Sequence, residues 1–206
     1  MRRSDWLFVF VLAMTVAAVG GGLWLSDSES DRARRSLGTE PTVAEGVQIG
    51  GPFVLVDQNG TAVTDKDLVG HWSLIYFGYT FCPDVCPITL TILTQTIEAL
   101  GPQGDKVTPM FITVDPKRDT VDELRAYAEH FHPRMRFLTG TDEQVTQMTR
   151  AYKIFRAIRE ETPNDPDYFV DHTSLVYLVG PDGKYVTYFA HNTPTAEMAA
   201  RLRRLL

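Results

Sequence analysis

The chain has little cysteine: Cys82 and Cys86 are the only two in 206 residues. They stand four positions apart, so no bridge between them can close a long loop, which is the main way a disulfide stabilises a fold. That argues against a structural staple and leaves redox or metal chemistry, the usual work of so close a pair. Basic charge is also scarce. Twenty Lys and Arg against 26 Asp and Glu leave a net charge of −6, and no basic stripe invites nucleic acid. No internal repeat is present, and long apolar runs are missing everywhere except at the N-terminus.

That exception runs from Trp6 to Leu25, twenty residues without a charge, behind Met1-Arg2-Arg3-Ser4-Asp5. It is long enough to cross a bilayer. A cleaved signal ending near Ala18-Val19-Gly20 is the alternative, but the run continues through Leu23-Trp24-Leu25 and ends on an interfacial tryptophan, which favours an uncleaved anchor over residues 1–25. Arg2 and Arg3 on one side face Arg32, Arg34 and Arg35 on the other, so charge does not set the orientation. A short basic tail before a single span most simply stays in the cytoplasm. With no Ser/Arg-rich amphipathic presequence, the expectation is a bacterial inner-membrane protein whose soluble domain faces the periplasm. Residues 26–42 read as a polar tether. Residues 43–206 suffice for one domain with a real core.

Within that domain, Gly51 to Asp57 and Thr61 to Thr64 flank Gln58-Asn59-Gly60 as a hairpin, with Asn-Gly supplying residues that tolerate positive φ, ahead of the main sheet. Leu74-Ile75-Tyr76-Phe77 is a fully apolar run typical of a strand buried on both faces. From Pro87 a helical stripe of Ile88, Leu90, Ile92, Leu93, Ile97 and Leu100 follows, ended by Gly101-Pro102. A second buried strand, Thr108–Val114, precedes a helix carrying Leu124, Tyr127, Ala128 and Phe131. Then come the strand Arg136–Gly140, a helix from Asp142 to about Tyr152, a strand over Lys153–Arg159, and a hairpin of His172–Val179 with Tyr185–Phe189 around Gly180-Pro181-Asp182-Gly183. A last helix starts at Thr195 and turns Met198 and Leu202 inward. Alternating strands and helices give an α/β class, a thioredoxin-like sheet with an N-terminal hairpin extension behind one transmembrane helix.

The cysteines lie in Phe77-Gly78-Tyr79-Thr80-Phe81-Cys82-Pro83-Asp84-Val85-Cys86-Pro87, at the carboxyl end of the first buried strand, where open α/β sheets place ligands. The spacing differs from the Cys-x-x-Cys of thiol oxidoreductases and suits metal capture better. Pro87 fits the first helical position, with Cys86 at or beside the N-cap. The positive helix end then lowers the thiol pKa and favours thiolate.

Of five histidines, His71 precedes a strand, His130 and His132 sit at a helix end, and His191 closes the last strand. His172 differs: it begins a strand expected beside the one that delivers the cysteines, and Asp171 is a natural acceptor for its ring N–H. The residues alone leave its role open. Asp115 and Asp119 precede a helix and read as caps rather than paired catalytic carboxylates. Met110, Met135 and Met148, soft enough for copper, sit in apolar settings that favour core filling.

These stretches resemble the Sco/SenC family of membrane-anchored, copper-binding thioredoxin-fold proteins. The likeness is carried by Gly51-Pro52-Phe53, Val63-Thr64, Asp67-Leu68, the block Ile75–Pro87, Phe111–Pro116, Arg118-Asp119-Thr120 and Asp171-His172-Thr173. It implies that Cys82, Cys86 and His172 bind one copper ion per chain, as Cu(I) and Cu(II), taken from an upstream donor protein and delivered to the dinuclear copper site in subunit II of cytochrome c oxidase. A metallochaperone is thus expected. The competing expectation is a thiol–disulfide reductase, with Cys82 and Cys86 as catalytic residues that keep the oxidase subunit's cysteines reduced. Against it, such reductases place a cis-proline where this chain has Asp171-His172-Thr173. A redox or copper sensor is a further alternative, and a peroxide-reducing enzyme has only the fold in its favour.

Overall fold

Leu74, Ile75, Tyr76 and Phe77 are all fully buried, and they make the central strand around which the other elements are laid. The computed structural model describes residues 48–206 except 161, 163 and 164. The anchor expected over 1–25 and the tether over 26–42 lie outside the described residues. Among those described, no helix is long and apolar enough to cross a membrane.

The strands are β1 (Val54–Asp57), β2 (Ala62–Thr64), β3 (Trp72–Gly78), β4 (Val107–Thr113), β5 (Arg136–Thr139), β6 (Arg156–Arg159), β7 (Phe169–His172), β8 (Leu175–Val179) and β9 (Tyr185–Ala190). The helices are α1 (Val85–Ala99), α2 (Val121–Ala128), α3 (Asp142–Ala151) and α4 (Thr195–Arg203). Seven strands form one sheet in the order β2-β1-β5-β4-β3-β8-β9. Its centre, β5-β4-β3, is parallel, and β1, β8 and β9 join antiparallel. The expected α/β alternation is present.

Parallel β3 and β4 pair from Trp72↔Val107 to Gly78↔Thr113, so both end at the same level and release their loops side by side. Helix α1 packs on α4, where Thr96 Oγ1 meets Met198 Sδ at 3.7 Å. Met110, Met135 and Met148 are buried in the core, as their apolar settings led us to expect.

Three expectations change. The β1–β2 hairpin does not lie ahead of the sheet: Val56 and Asp57 pair with Thr139 and Leu138, which makes the hairpin the sheet's edge. At its turn Gly60 takes positive φ (78°), while Asn59 does not and instead donates its N–H to Asp57 Oδ1. The strand expected over Lys153–Arg159 begins only at Arg156, because Lys153 adopts a φ of 57° in closing α3. Most consequential, His172 does not begin the strand beside β3. It ends β7, which pairs with β6 in a separate two-stranded ribbon, with Arg156 opposite His172. Thr173 stays with the ribbon through its N–H to the Phe155 carbonyl (3.1 Å), and the chain changes partner before Leu175 opens β8.

Candidate metal centre

The site is built at the end of β3. After Gly78 the chain turns, Cys82 N–H bonding the Tyr79 carbonyl at 3.2 Å, and enters α1 at Val85 with Asp84 as N-cap. The expected helix start is therefore two residues late. Cys86 is the second helical residue and Pro87 the third, still inside the first turn, where a missing proline N–H leaves no intrahelical bond unmade. Both thiols are free; Cys86 is buried and Cys82 half-buried.

The two sulfurs divide one negative charge unequally. Cys82 shares a hydrogen bond with the Cys86 thiol and also faces the backbone N–H groups of Asp84 and Cys86 and the His172 ring, which outweigh burial and bring its pKa down to about 5. The Cys86 N–H reaches Cys82 Sγ at 3.5 Å. Cys86 moves the other way, because giving up the proton it shares with Cys82 would set two charges side by side in a buried place. Tyr76 donates its hydroxyl to Cys86 Sγ at 3.5 Å. Consequently, iodoacetamide is expected to alkylate Cys82 alone in the folded protein, with a rate that climbs through a midpoint near pH 5 and is flat by pH 7. Mass mapping of the modified peptide checks this; equal labelling of Cys86 would refute the division.

His172 arrives from β7. Its Nε2 stands 3.8 Å from Cys86 Sγ, and its Nδ1 stands 3.1 Å from the Thr173 carbonyl. A carbonyl only accepts, so Nδ1 carries the proton and the Nε2 lone pair faces the sulfurs. Burial pushes the His172 pKa down, against the pull of Thr173, Cys82 and Asp171, which keeps the ring neutral as ligation requires. The edges of Tyr76 and Tyr79 pack against it, with centroids at 6.3 and 5.9 Å. The expected role of Asp171 as acceptor for the ring N–H is corrected. Neighbouring residues of a strand point to opposite faces, and the Asp171 carboxylate is taken by Arg159 at 2.5 Å, leaving the ring to the Thr173 backbone.

Cys82, Cys86 and His172 are thus gathered at one place, although among the described residues no three Cys, His, Asp or Glu side chains stand in ready-made metal-binding geometry. The donor set nevertheless fits a soft ion. One ion bonded at about 2.3 Å to sulfur and about 2.0 Å to nitrogen, the lengths known for zinc, spans a separation like that between Cys86 and His172. Among the described residues His172 is the histidine that meets a cysteine; His132 instead accepts the Arg134 N–H on Nδ1 at 3.1 Å.

Reading Asp115 and Asp119 as helix caps missed their part. The cap of α2 is Thr120, which accepts from Glu123 N–H. Asp119 is buried and accepts from Thr80 N–H (3.1 Å), Thr80 Oγ1 (2.5 Å) and Thr113 Oγ1 (2.6 Å), tying the cysteine loop to the end of β4. Burial pushes its pKa up, against the pull of these donors. Asp115 pairs with Arg118 and accepts the Tyr168 hydroxyl at 2.8 Å. Both residues stand in stretches that matched the family pattern, the one signal that set them apart from ordinary caps.

A thiol pair between a buried parallel strand and a helix N-terminus, on a mixed sheet flanked by helices, is the arrangement of a thioredoxin-like protein, and solved structures bear out that fold. Residues 41–206 match the SCO1/SenC family model, and the chain belongs to that family. It is 38% identical over 203 residues to an SCO2-like protein of Rickettsia conorii, covering 98% of this chain and 99% of that one. The copper-bound structure of ScoI from Bradyrhizobium japonicum is 43% identical, covers 77% of this chain and 99% of its own, and superposes with a TM-score of 0.71. BsSco, described with a disulfide switch and as a member of the Sco family of cytochrome c oxidase assembly proteins, is 26% identical over 76% of this chain and 92% of its own, with a TM-score of 0.60.

Proposed function

We propose that the domain binds one copper ion, as Cu(I) or Cu(II), through Cys82, Cys86 and His172, and passes it to the dinuclear copper centre of cytochrome c oxidase subunit II. The observation that carries this reading is the neutral His172 Nε2 at 3.8 Å from Cys86 Sγ, beside the ionised Cys82. Two soft thiolates suit Cu(I) and an imidazole suits Cu(II), so one donor set serves both states. Three donors leave a side open for an acceptor's ligands, whereas a closed four-ligand site would hold its ion. Copper bound to the Bradyrhizobium relative supports the choice of ion, and the assembly role stated for BsSco supports the destination. In this reading Trp6–Leu25 anchors the chain in a bacterial inner membrane, and the domain works in the periplasm, supplied by an upstream donor protein.

Titrating the full chain in detergent with Cu(I) and with Cu(II) is expected to saturate at one ion per chain in each state. Saturation at two, or binding that survives replacement of both cysteines by serine, would refute the site.

A second reading has one observation in its favour. The acidified, half-exposed Cys82 beside a buried, protonated Cys86 is the pairing of an attacking and a resolving thiol. As a reductase the pair would attack a disulfide of the oxidase subunit through Cys82, release it as a dithiol, and close the Cys82–Cys86 disulfide, a two-electron exchange. The His172 substitution taken up in the Discussion separates the readings.

A further inference from the structure

The two segments that carry the donors belong to different sheets. Cys82 and Cys86 follow β3 of the large sheet, and His172 ends the separate β6–β7 ribbon. Arg118 stands between them. Its guanidinium carbon lies 3.7 Å from the Tyr168 ring centroid, 4.6 Å from Phe81 and 5.8 Å from Tyr79. Phe81 immediately precedes Cys82, and Tyr168 immediately precedes β7, four residues before His172.

Beneath this stack, Asp115 is 1% exposed, holds Arg118 Nε at 2.5 Å and accepts the Tyr168 hydroxyl at 2.8 Å. Arg118 Nη1 donates to the Pro166 carbonyl at 3.3 Å, in the loop that leads to β7. Nη2 is buried and has no hydrogen-bond partner among the described residues. An unmet buried donor is costly, so the hydrogen bonds of this group are not optimised for stability. The planar cation is instead placed to stack on both loops at once, which the compact ammonium of a lysine would do poorly.

We infer that Arg118 is a positioning residue: it sets the ribbon against the cysteine loop so that His172 meets the two sulfurs. The inference rests on the three-donor copper site proposed above.

The test compares Arg118→Met and Phe81→Ala, each alone and combined with His172→Ala, in the full chain in detergent. Without metal, the NMR shifts of the His172 ring protons report the flanking Tyr76 and Tyr79 rings, and both single variants are expected to move them toward the values of an unstructured histidine. With Cu(II), both are expected to release the ion to a chelator at least about tenfold faster, the low end of what lost outer contacts of a metal ligand cost. In the His172→Ala background neither is expected to speed release further. Unmoved ring shifts, or an acceleration that persists in full without His172, overturns the inference. If the wild-type chain binds no copper, the functional reading fails while the ring shifts still decide the positioning role. Phe81 is 56% exposed, so its truncation spares the core and decides the matter should Arg118→Met not fold.

Discussion

His172→Ala is expected to weaken Cu(II) binding by well over about a hundredfold, beyond the loss seen when only an outer contact of a ligand is removed. Cu(I) binding should fall less, because Cys82 and Cys86 still offer two soft thiolates. The fold should persist, since His172 is itself half-buried, an alanine keeps the backbone bonds of β7, and the ring gives up only its contacts with the Thr173 carbonyl, Cys86 Sγ and the Tyr76 and Tyr79 rings. The pair should still oxidise to a disulfide. Cells carrying this variant are expected to lack assembled oxidase, measured by haem spectra and oxygen uptake. If assembly proceeds normally while the dithiol still cycles, the chaperone reading falls and the reductase reading takes its place.

The second large effect is expected at Gly78, where β3 hands over to the cysteine loop. A Cβ there would stand 2.7 Å from the Phe111 ring, 2.8 Å from Cys86 Sγ and 3.1 Å from the Tyr76 ring. Phe111, Cys86 and Tyr76 are each fully buried, and Phe111 is held in turn by Phe137 at a centroid distance of 5.4 Å. No neighbour can yield without disturbing another, so Gly78→Ala should cost about 1–3 kcal/mol by overpacking. It should also push Cys86 off the Tyr76 hydroxyl, exposing a thiol that the native protein protects. Denaturant unfolding and alkylation of Cys86 read the two effects separately. An unchanged midpoint with Cys86 still protected would mean that the strand end relaxes more easily than this packing allows.

The cysteine loop was legible in the sequence because its signals are local. A run of apolar residues, two cysteines and two prolines within fourteen positions identify a buried strand, a turn and a helix start, and the structure shifts the helix start by only two residues. His172 was legible as a candidate only, and the expected strand was the wrong one: β7 belongs to the ribbon, and the break at Thr173-Ser174 has no proline or glycine to announce it. Asp119 and Arg118 were hidden for another reason. An aspartate before a helix usually caps it, and nothing within a few residues tells that this one reaches back 39 positions to Thr80. Likewise Asp171 beside His172 suggested a bonded pair, yet strand alternation sends the two side chains apart.

By itself, then, the sequence determined the α/β order, the buried strand that delivers Cys82 and Cys86, and through its motifs the family, since each depends on short-range pattern and residue type. Tertiary structure alone decided that His172 comes from a second sheet to within 3.8 Å of Cys86, that its free nitrogen faces the sulfurs, and that Asp119 and Arg118 hold the loops that bring them together. The contacts that bring these segments together span 37 to 86 residues of chain. They exist only once parallel β3 and β4 end at one level and the ribbon packs against them, a condition that no local propensity encodes.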